Sequence, residues 1–299
     1  MGIAETARTR RRRAMRRRKI GNKGLGPFLD AVLRDYDSMD YVTSDPVSVP
    51  HEYARPADRE VAAYIAAMLA FGNVRAMLPR IREALAPLGD HPADHLRRAA
   101  ASEIVAGTRG FNYRWIFEDD LAAIFLMLQG VLREDGSLER AFRGDEERTR
   151  RDPIAGGARL VGRLRAAYPE ADVSRRGTRA FLPQVTGSSA SKRYHLFLRW
   201  MTRTEGVDLG LWGCVDRRDL WMPVDTHVAR IARYIGLTDR QTVGWPMVRE
   251  ITERLRTIDP NDPVKYDFAL SRLGILGACP SRRDAILCAR CALVPVCRL

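Results

Sequence analysis

Long apolar stretches are absent from the sequence: none approaches the roughly 18 residues that a membrane-spanning helix needs. The arginine-rich start is not followed by the apolar segment of a secretory signal, so a cytoplasmic protein with no membrane partner is expected. Cysteine is scarce, with five among 299 residues. That excludes a disulfide scaffold. Sustained strand alternation and internal repeats are also missing, which leaves helical periodicity as the only strong pattern and all-α as the expected fold class.

Acidic residues are rare at one place only. Residues 1–23 carry ten Lys or Arg and one acid, leaving 40 basic against 36 acidic residues in the rest of the chain. Nine of the twelve residues from Arg8 to Lys19 are basic. Such a block repels itself and buries nothing, so residues 1–24 are expected to be a disordered tail that gains affinity for phosphate by counterion release. It has neither a lipidation signal nor an adjacent apolar face, which favours nucleic acid over an anionic membrane as its partner.

Apolar positions at helical spacing mark the elements. Phe28–Tyr36 reads as a short helix, followed by a loop from Asp37 to Pro56. Val61, Ile65, Met68 and Leu69 form a stripe that stops at Phe71-Gly72-Asn73, and Met77, Leu78, Ile81 and Leu85 begin another. Further stripes run through Leu121–Leu132, Leu160–Leu164, Tyr194–Met201, Val224–Ile235 and Val248–Ile258, with Gly236 placed to end the fourth. Arg143–Asp152 and Ser174–Gly177 read as connections, and Val264–Leu276 as a buried helix leading to a cysteine cluster.

Cys279, Cys288, Cys291 and Cys297 lie in the last 21 residues as C-x8-C-x2-C-x5-C. Four thiolates can close a four-coordinate site, and the spacing admits either zinc or an iron–sulfur cubane with one thiolate per iron. Cys214, far from the others, reads as an apolar filler.

This C-terminus resembles the iron–sulfur loop of endonuclease III and the adenine glycosylases, members of the helix-hairpin-helix DNA glycosylase superfamily. The resemblance implies a [4Fe–4S] cluster held by the four cysteines, with Arg282, Arg283 and Arg290 on a loop that faces DNA. Met222–Arg230 contains Val-Asp-Thr-His at a helix start, similar to the segment carrying the catalytic aspartate of those enzymes, which would be Asp225 here. A carboxylate there would stabilise the positive charge that develops on the sugar as the base departs. Asp225 also reads as a helix N-cap, and both roles are compatible.

Thr186-Gly187-Ser188-Ser189-Ala190-Ser191-Lys192-Arg193 precedes a helix where the superfamily places its DNA-gripping hairpin. Lys192 is the candidate nucleophile, an amine able to displace the base and form a Schiff base, with Arg193 as a neighbouring cation that would lower its pKa. Gly187, Ser189 and Arg193 are candidate DNA contacts, as is Asn73, a candidate wedge that terminates a helix equally well. The hairpin lacks the usual Gly-x-Gly, and its lysine-to-aspartate interval is closer to that of the archaeal 8-oxoguanine glycosylases.

The resemblance implies a two-lobed helical body over 25–299. Lobe one would span about 57–203, and lobe two 25–56 plus 204–299 with the cluster loop at 279–297. The expected protein is a monomeric glycosylase acting on duplex DNA that contains a lesion, an oxidised purine such as 8-oxoguanine first. AP-lyase activity through Lys192 is an additional expectation. A monofunctional glycosylase, a non-catalytic iron–sulfur nucleic-acid-binding protein and an electron-transfer protein are the alternatives.

Overall fold

The computed structural model describes residues 24–144 and 152–299. The basic tail and most of the charged Arg143–Asp152 connection lie outside the described residues. The described residues are mostly helical, with one two-stranded hairpin, so the chain is all-α. No helix among them is long and apolar enough to cross a membrane.

The described residues divide into two compact units, a central one within 38–223 and a terminal one formed by 24–37 with 224–299. In the central unit, α2 (Ser48–His51) is followed by α3 (Pro56–Leu69) and α4 (Val74–Leu85). Helix α3 is buried from Glu60 to Leu69. Four alanines among these residues let neighbouring backbones approach on several sides, and α2, α4, α5 (Pro92–Arg98) and α11 (Lys192–Thr202) all pack on α3. Tyr64 meets Phe197 edge-on at 5.3 Å, and Phe197 meets Trp212 at 5.2 Å.

Glu60 is buried, yet its carboxylate accepts from Trp212 Nε1 at 2.7 Å and from the Leu138 and Glu139 amides at 2.9 and 3.0 Å. Those amides open α8 (Leu138–Arg143), so Glu60 serves as a cap supplied from a distant helix. Alongside, α7 (Glu118–Glu134) packs against α5, α6 (Ala101–Gly107), α9 (Pro153–Ala167) and α10 (Arg176–Ala180).

The expected loop at 37–56 instead contains a 3-10 turn over Met39–Ser44 and the short α2. Residues 38–56 and 204–223, expected in the terminal lobe, belong to the central unit, where His51 Nε2 meets the Val207 carbonyl at 2.9 Å. Periodicity marks helices but does not show which helices share a core. The Ser174–Gly177 break is shorter than expected, because α10 begins at Arg176.

In the terminal unit, α1 (Gly26–Tyr36) and α12 (Thr226–Tyr234) both pack on α14 (Asp267–Ile275), with α13 (Trp245–Arg256) between the last two in sequence. Tyr266 donates to Asp30 at 2.9 Å, tying α1 to the segment before α14. Helix α12 ends as expected: Gly236, at φ +77°, follows the Ile235 cap, and the Leu237 amide returns to the Ala232 carbonyl at 2.8 Å.

Candidate functional site

Asp225 caps α12. Its Oδ1 accepts from the Val228 amide at 2.8 Å, while Oδ2 has no hydrogen-bond partner among the described residues and the side chain is partly exposed. One carboxylate oxygen thus fixes the rotamer and the other is available to a reacting group. His227 packs against α14 at Gly274, where an added Cβ would lie 2.7 Å from both His227 Cβ and Nδ1. Its Nδ1 is buried without a hydrogen-bond partner, which fits a packing residue.

The remainder of α12 is held by the C-terminal loop. Arg230 donates to the Cys279 carbonyl at 2.8 Å, and Tyr234 Oη to the Ser281 carbonyl at 3.1 Å. The Arg298 amide donates to the Tyr234 carbonyl at 2.7 Å. The helix that starts at Asp225 is therefore fastened by residues flanking the first and last cysteines. Sequence reading missed Arg230, because nothing in the pattern links residue 230 to residue 279.

Cys279, Cys288, Cys291 and Cys297 all line one small recess, closed by Ile231, Ile235, Leu293 and Val294. Burial pushes the Cys279 thiol up to about 11; Arg230 opposes this and the other three thiols add to it. Burial also raises Cys291, with Cys297 and Cys288 contributing. The Asp284 amide points at Cys288 Sγ at 3.5 Å.

No group of three or more His, Cys, Asp or Glu side chains among the described residues forms a single-ion site. A cubane makes a different demand, since each thiolate meets its own iron at a separate corner. Four thiols around one apolar recess fit that donor set. Asp284 also caps the short α15 (Ala285–Ala289) that carries Cys288. Arg282, Arg283 and Arg290 are exposed on the same loop. Cys214 lies elsewhere, buried in the central unit, with its thiol pushed up to about 12 by burial and then by Glu139.

Lys192 is the first residue of α11 and is partly exposed. The preceding segment is irregular, with Gly187 at φ +97° and Ser191 in the left-handed region at φ 41°. Ser191 Oγ hydrogen-bonds the Gln184 carbonyl and does not cap the helix, so α11 opens with uncapped amides next to Lys192. Such a terminus attracts phosphate. Gly187 and Ser189 are exposed, and Ser189 Oγ accepts from the Ser191 amide at 3.1 Å.

Arg193 is committed to other partners: it donates to the Met68 carbonyl and lies over the Phe71 ring at 5.4 Å. Burial holds its pKa below the ordinary value. Asn73 is exposed and caps α4, accepting from the Arg75 amide at 2.8 Å. Trp200 and Trp212 are core residues. Asp225, Cys279, Cys288, Cys291 and Cys297 belong to the terminal unit, and Lys192, Arg193, Gly187, Ser189 and Asn73 to the central one.

Sequence reading also overlooked a hairpin. Strands β1 (Asn112–Tyr113) and β2 (Ile116–Phe117) pair antiparallel around the turn Arg114-Trp115. The signal was present, since Phe111, Tyr113, Trp115 and Phe117 alternate through one short run.

Residues 45–276 match the family described as "Protein of unknown function (DUF2400)", and the chain belongs to that family. No curated protein matches the chain.

Proposed function

We propose that the protein is an iron–sulfur DNA glycosylase of the helix-hairpin-helix type, removing an oxidised purine such as 8-oxoguanine from duplex DNA. The observation that carries this reading is the single helix α12. It begins at a carboxylate with one oxygen fixed and one available, and its later turns are bound to the loop of four cysteines. Cys279, Cys288, Cys291 and Cys297 would hold a [4Fe–4S] cluster, whose contribution is to rigidify the loop and with it the helix that presents Asp225.

In this reading Asp225 stabilises the oxocarbenium-like sugar as the C1′–N bond breaks. Lys192 Nζ attacks C1′ as the base leaves with the bonding pair. Ring opening then gives an imine, and loss of a C2′ proton expels the 3′ phosphate. Arg282, Arg283, Arg290 and the uncapped start of α11 contact backbone phosphate, with Asn73 near the opened base pair. The reading places the protein in the cytoplasm.

Borohydride trapping tests this on duplexes containing 8-oxoguanine, an oxidised pyrimidine, uracil or an abasic site. A covalent adduct on a damaged base that Lys192→Ala abolishes is the expected result. Base release without trapping assigns a monofunctional enzyme. Absence of both on every duplex moves the assignment to a non-catalytic nucleic-acid-binding protein.

A further inference from the structure

Trp115, at the tip of the hairpin, lies between two flat groups. The Phe71 ring stacks on it with centroids 4.8 Å apart and planes 13° from parallel, and the Arg176 guanidinium carbon lies 3.9 Å from its centroid. Arg114, beside Trp115, lies 5.9 Å from the Phe71 centroid. Phe71 and Trp115 are half-buried, whereas Arg114 and Arg176 are exposed. A lone exposed arginine would sweep many rotamers. A guanidinium laid on an indole is held by its face, while its N–H edges stay open to planar acceptors such as phosphate.

The surroundings hold this arrangement in place. Asp120 Oδ2 accepts from the Phe117 amide at 2.9 Å, fixing β2, and Asp120 Oδ1 accepts from Thr178 Oγ1 at 2.9 Å, fixing α10. Arg175, next to Arg176, pairs with Asp120 at 3.0 Å and with Asp119 at 2.9 Å. A Cβ on Gly177 would lie 2.1 Å from Asp120 Oδ2, so α10 sits closer to that carboxylate than any other residue permits. Tyr113 Oη hydrogen-bonds the Phe71 carbonyl and ties the hairpin to the end of α3. Arg114, at φ 61°, occupies a backbone region unfavourable for a side-chain-bearing residue. Asp119 and Asp120 are paired with Arg175 and Glu118 accepts from the Gly110 amide; Arg114 lies against Gly72 and bonds the Tyr113 hydroxyl, and neither Arg114 nor Arg176 has a carboxylate partner among the described residues.

We propose that the Phe71–Trp115 stack is a mount that presents Arg176 and Arg114 to the phosphodiester backbone of nucleic acid, a phosphate clamp in which Trp115 is a positioning residue. The clamp rests on the nucleic-acid partner of the function proposed above. It adds residues 71, 114, 115 and 176 to that interface.

The test is the salt dependence of full-length protein binding to a lesion-free 20-base-pair duplex. Each phosphate contact contributes about 0.9 to the slope of log K against log salt. Arg176→Ala is expected to make this negative slope shallower by about 0.9 and to weaken binding roughly tenfold or more at 0.1 M salt. Trp115→Ala, which removes no charge, is expected to make the slope shallower by the same amount, and Trp115→Phe to preserve it. A thermal melt of each variant identifies any loss that is merely unfolding, and Arg176→Lys, which keeps charge but not the flat stack, falls between wild type and Arg176→Ala.

An unchanged slope in Arg176→Ala overturns the proposal. So does a Trp115→Ala variant that binds more weakly at constant slope, which would make the indole a base-stacking surface. Wild type that traps a lesion while Arg176→Ala keeps its slope removes the clamp alone. Wild type that binds duplex with a slope sensitive to Arg176 but traps nothing removes the glycosylase reading alone.

Discussion

In the proposed function the Asp225 carboxylate adds a catalytic role to the helix cap, and substitution can separate the two. Asn and Asp are comparable N-caps, so Asp225→Asn is expected to keep the bond to the Val228 amide while losing the charge. Base release should then fall by roughly 100-fold or more with little change in melting temperature. Asp225→Ala should lose activity to the same extent and, in addition, about 1 kcal/mol of stability. Equal activity in wild type and Asp225→Asn would leave Asp225 as a cap only. At Gly274, alanine has better helix propensity, but its methyl would lie 2.7 Å from His227 Cβ, which has no freedom to rotate away. Overpacking is expected to prevail, so Gly274→Ala should destabilise by about 1–3 kcal/mol in a denaturant titration.

At the scale of elements, buried carboxylates join helices distant in sequence. Asp58, in the first turn of α3, accepts from Arg55 at 2.7 Å and from the Ala93 amide of α5 at 3.0 Å. Burial pushes the Asp58 carboxyl up, but these hydrogen bonds and the Arg55 charge outweigh it and leave it below its ordinary value of 3.8. A depressed folded-state value means this stabilisation is complete above the unfolded pKa and is lost as pH falls below about 3.8. Acid titration of Asp58→Asn should therefore show less loss of stability over that window than wild type.

Asp120 plays the same joining role for the hairpin, α7 and α10. Its replacement by alanine should raise hydrogen exchange at 112–117 and 176–180 before the rest of the central unit. Much of this level was legible. The stripes at Val61–Leu69, Leu121–Leu132 and Tyr194–Met201 correspond to α3, α7 and α11, because their large apolar residues recur at helical spacing even though the other faces of these helices are buried as well. Helices α5 and α6 span seven residues each, α5 mixes charged with apolar positions and α6 buries only Ile104, so their patterns are too brief to read.

For the whole molecule, the four-cysteine loop is a staple on the terminal unit. If the loop holds a cluster, the purified protein should be brown and contain iron, and chelation should raise hydrogen exchange first in 226–234 and 279–299. The reason is that Arg230 and the Tyr234 hydroxyl lose the Cys279 and Ser281 carbonyls, and the Tyr234 carbonyl loses the Arg298 amide, all of which the loop positions. Residues 38–223 fold around their own core and should retain protection. A colourless protein containing zinc would leave the staple intact and remove the iron–sulfur assignment.

The sequence by itself determined the helical class, most of the long helices, the grouping of four cysteines near the C-terminus and the N-cap position of Asp225. Each of these depends on residues within a few turns of one another, where spacing alone carries the physics. Only the tertiary structure decided that Glu60 caps a helix 78 residues away, that Arg230 is bound to the backbone of Cys279, and that Trp115 is clasped between Phe71 and Arg176. Those contacts join segments whose separation in the chain has no period, and they exist because packing brings the segments together.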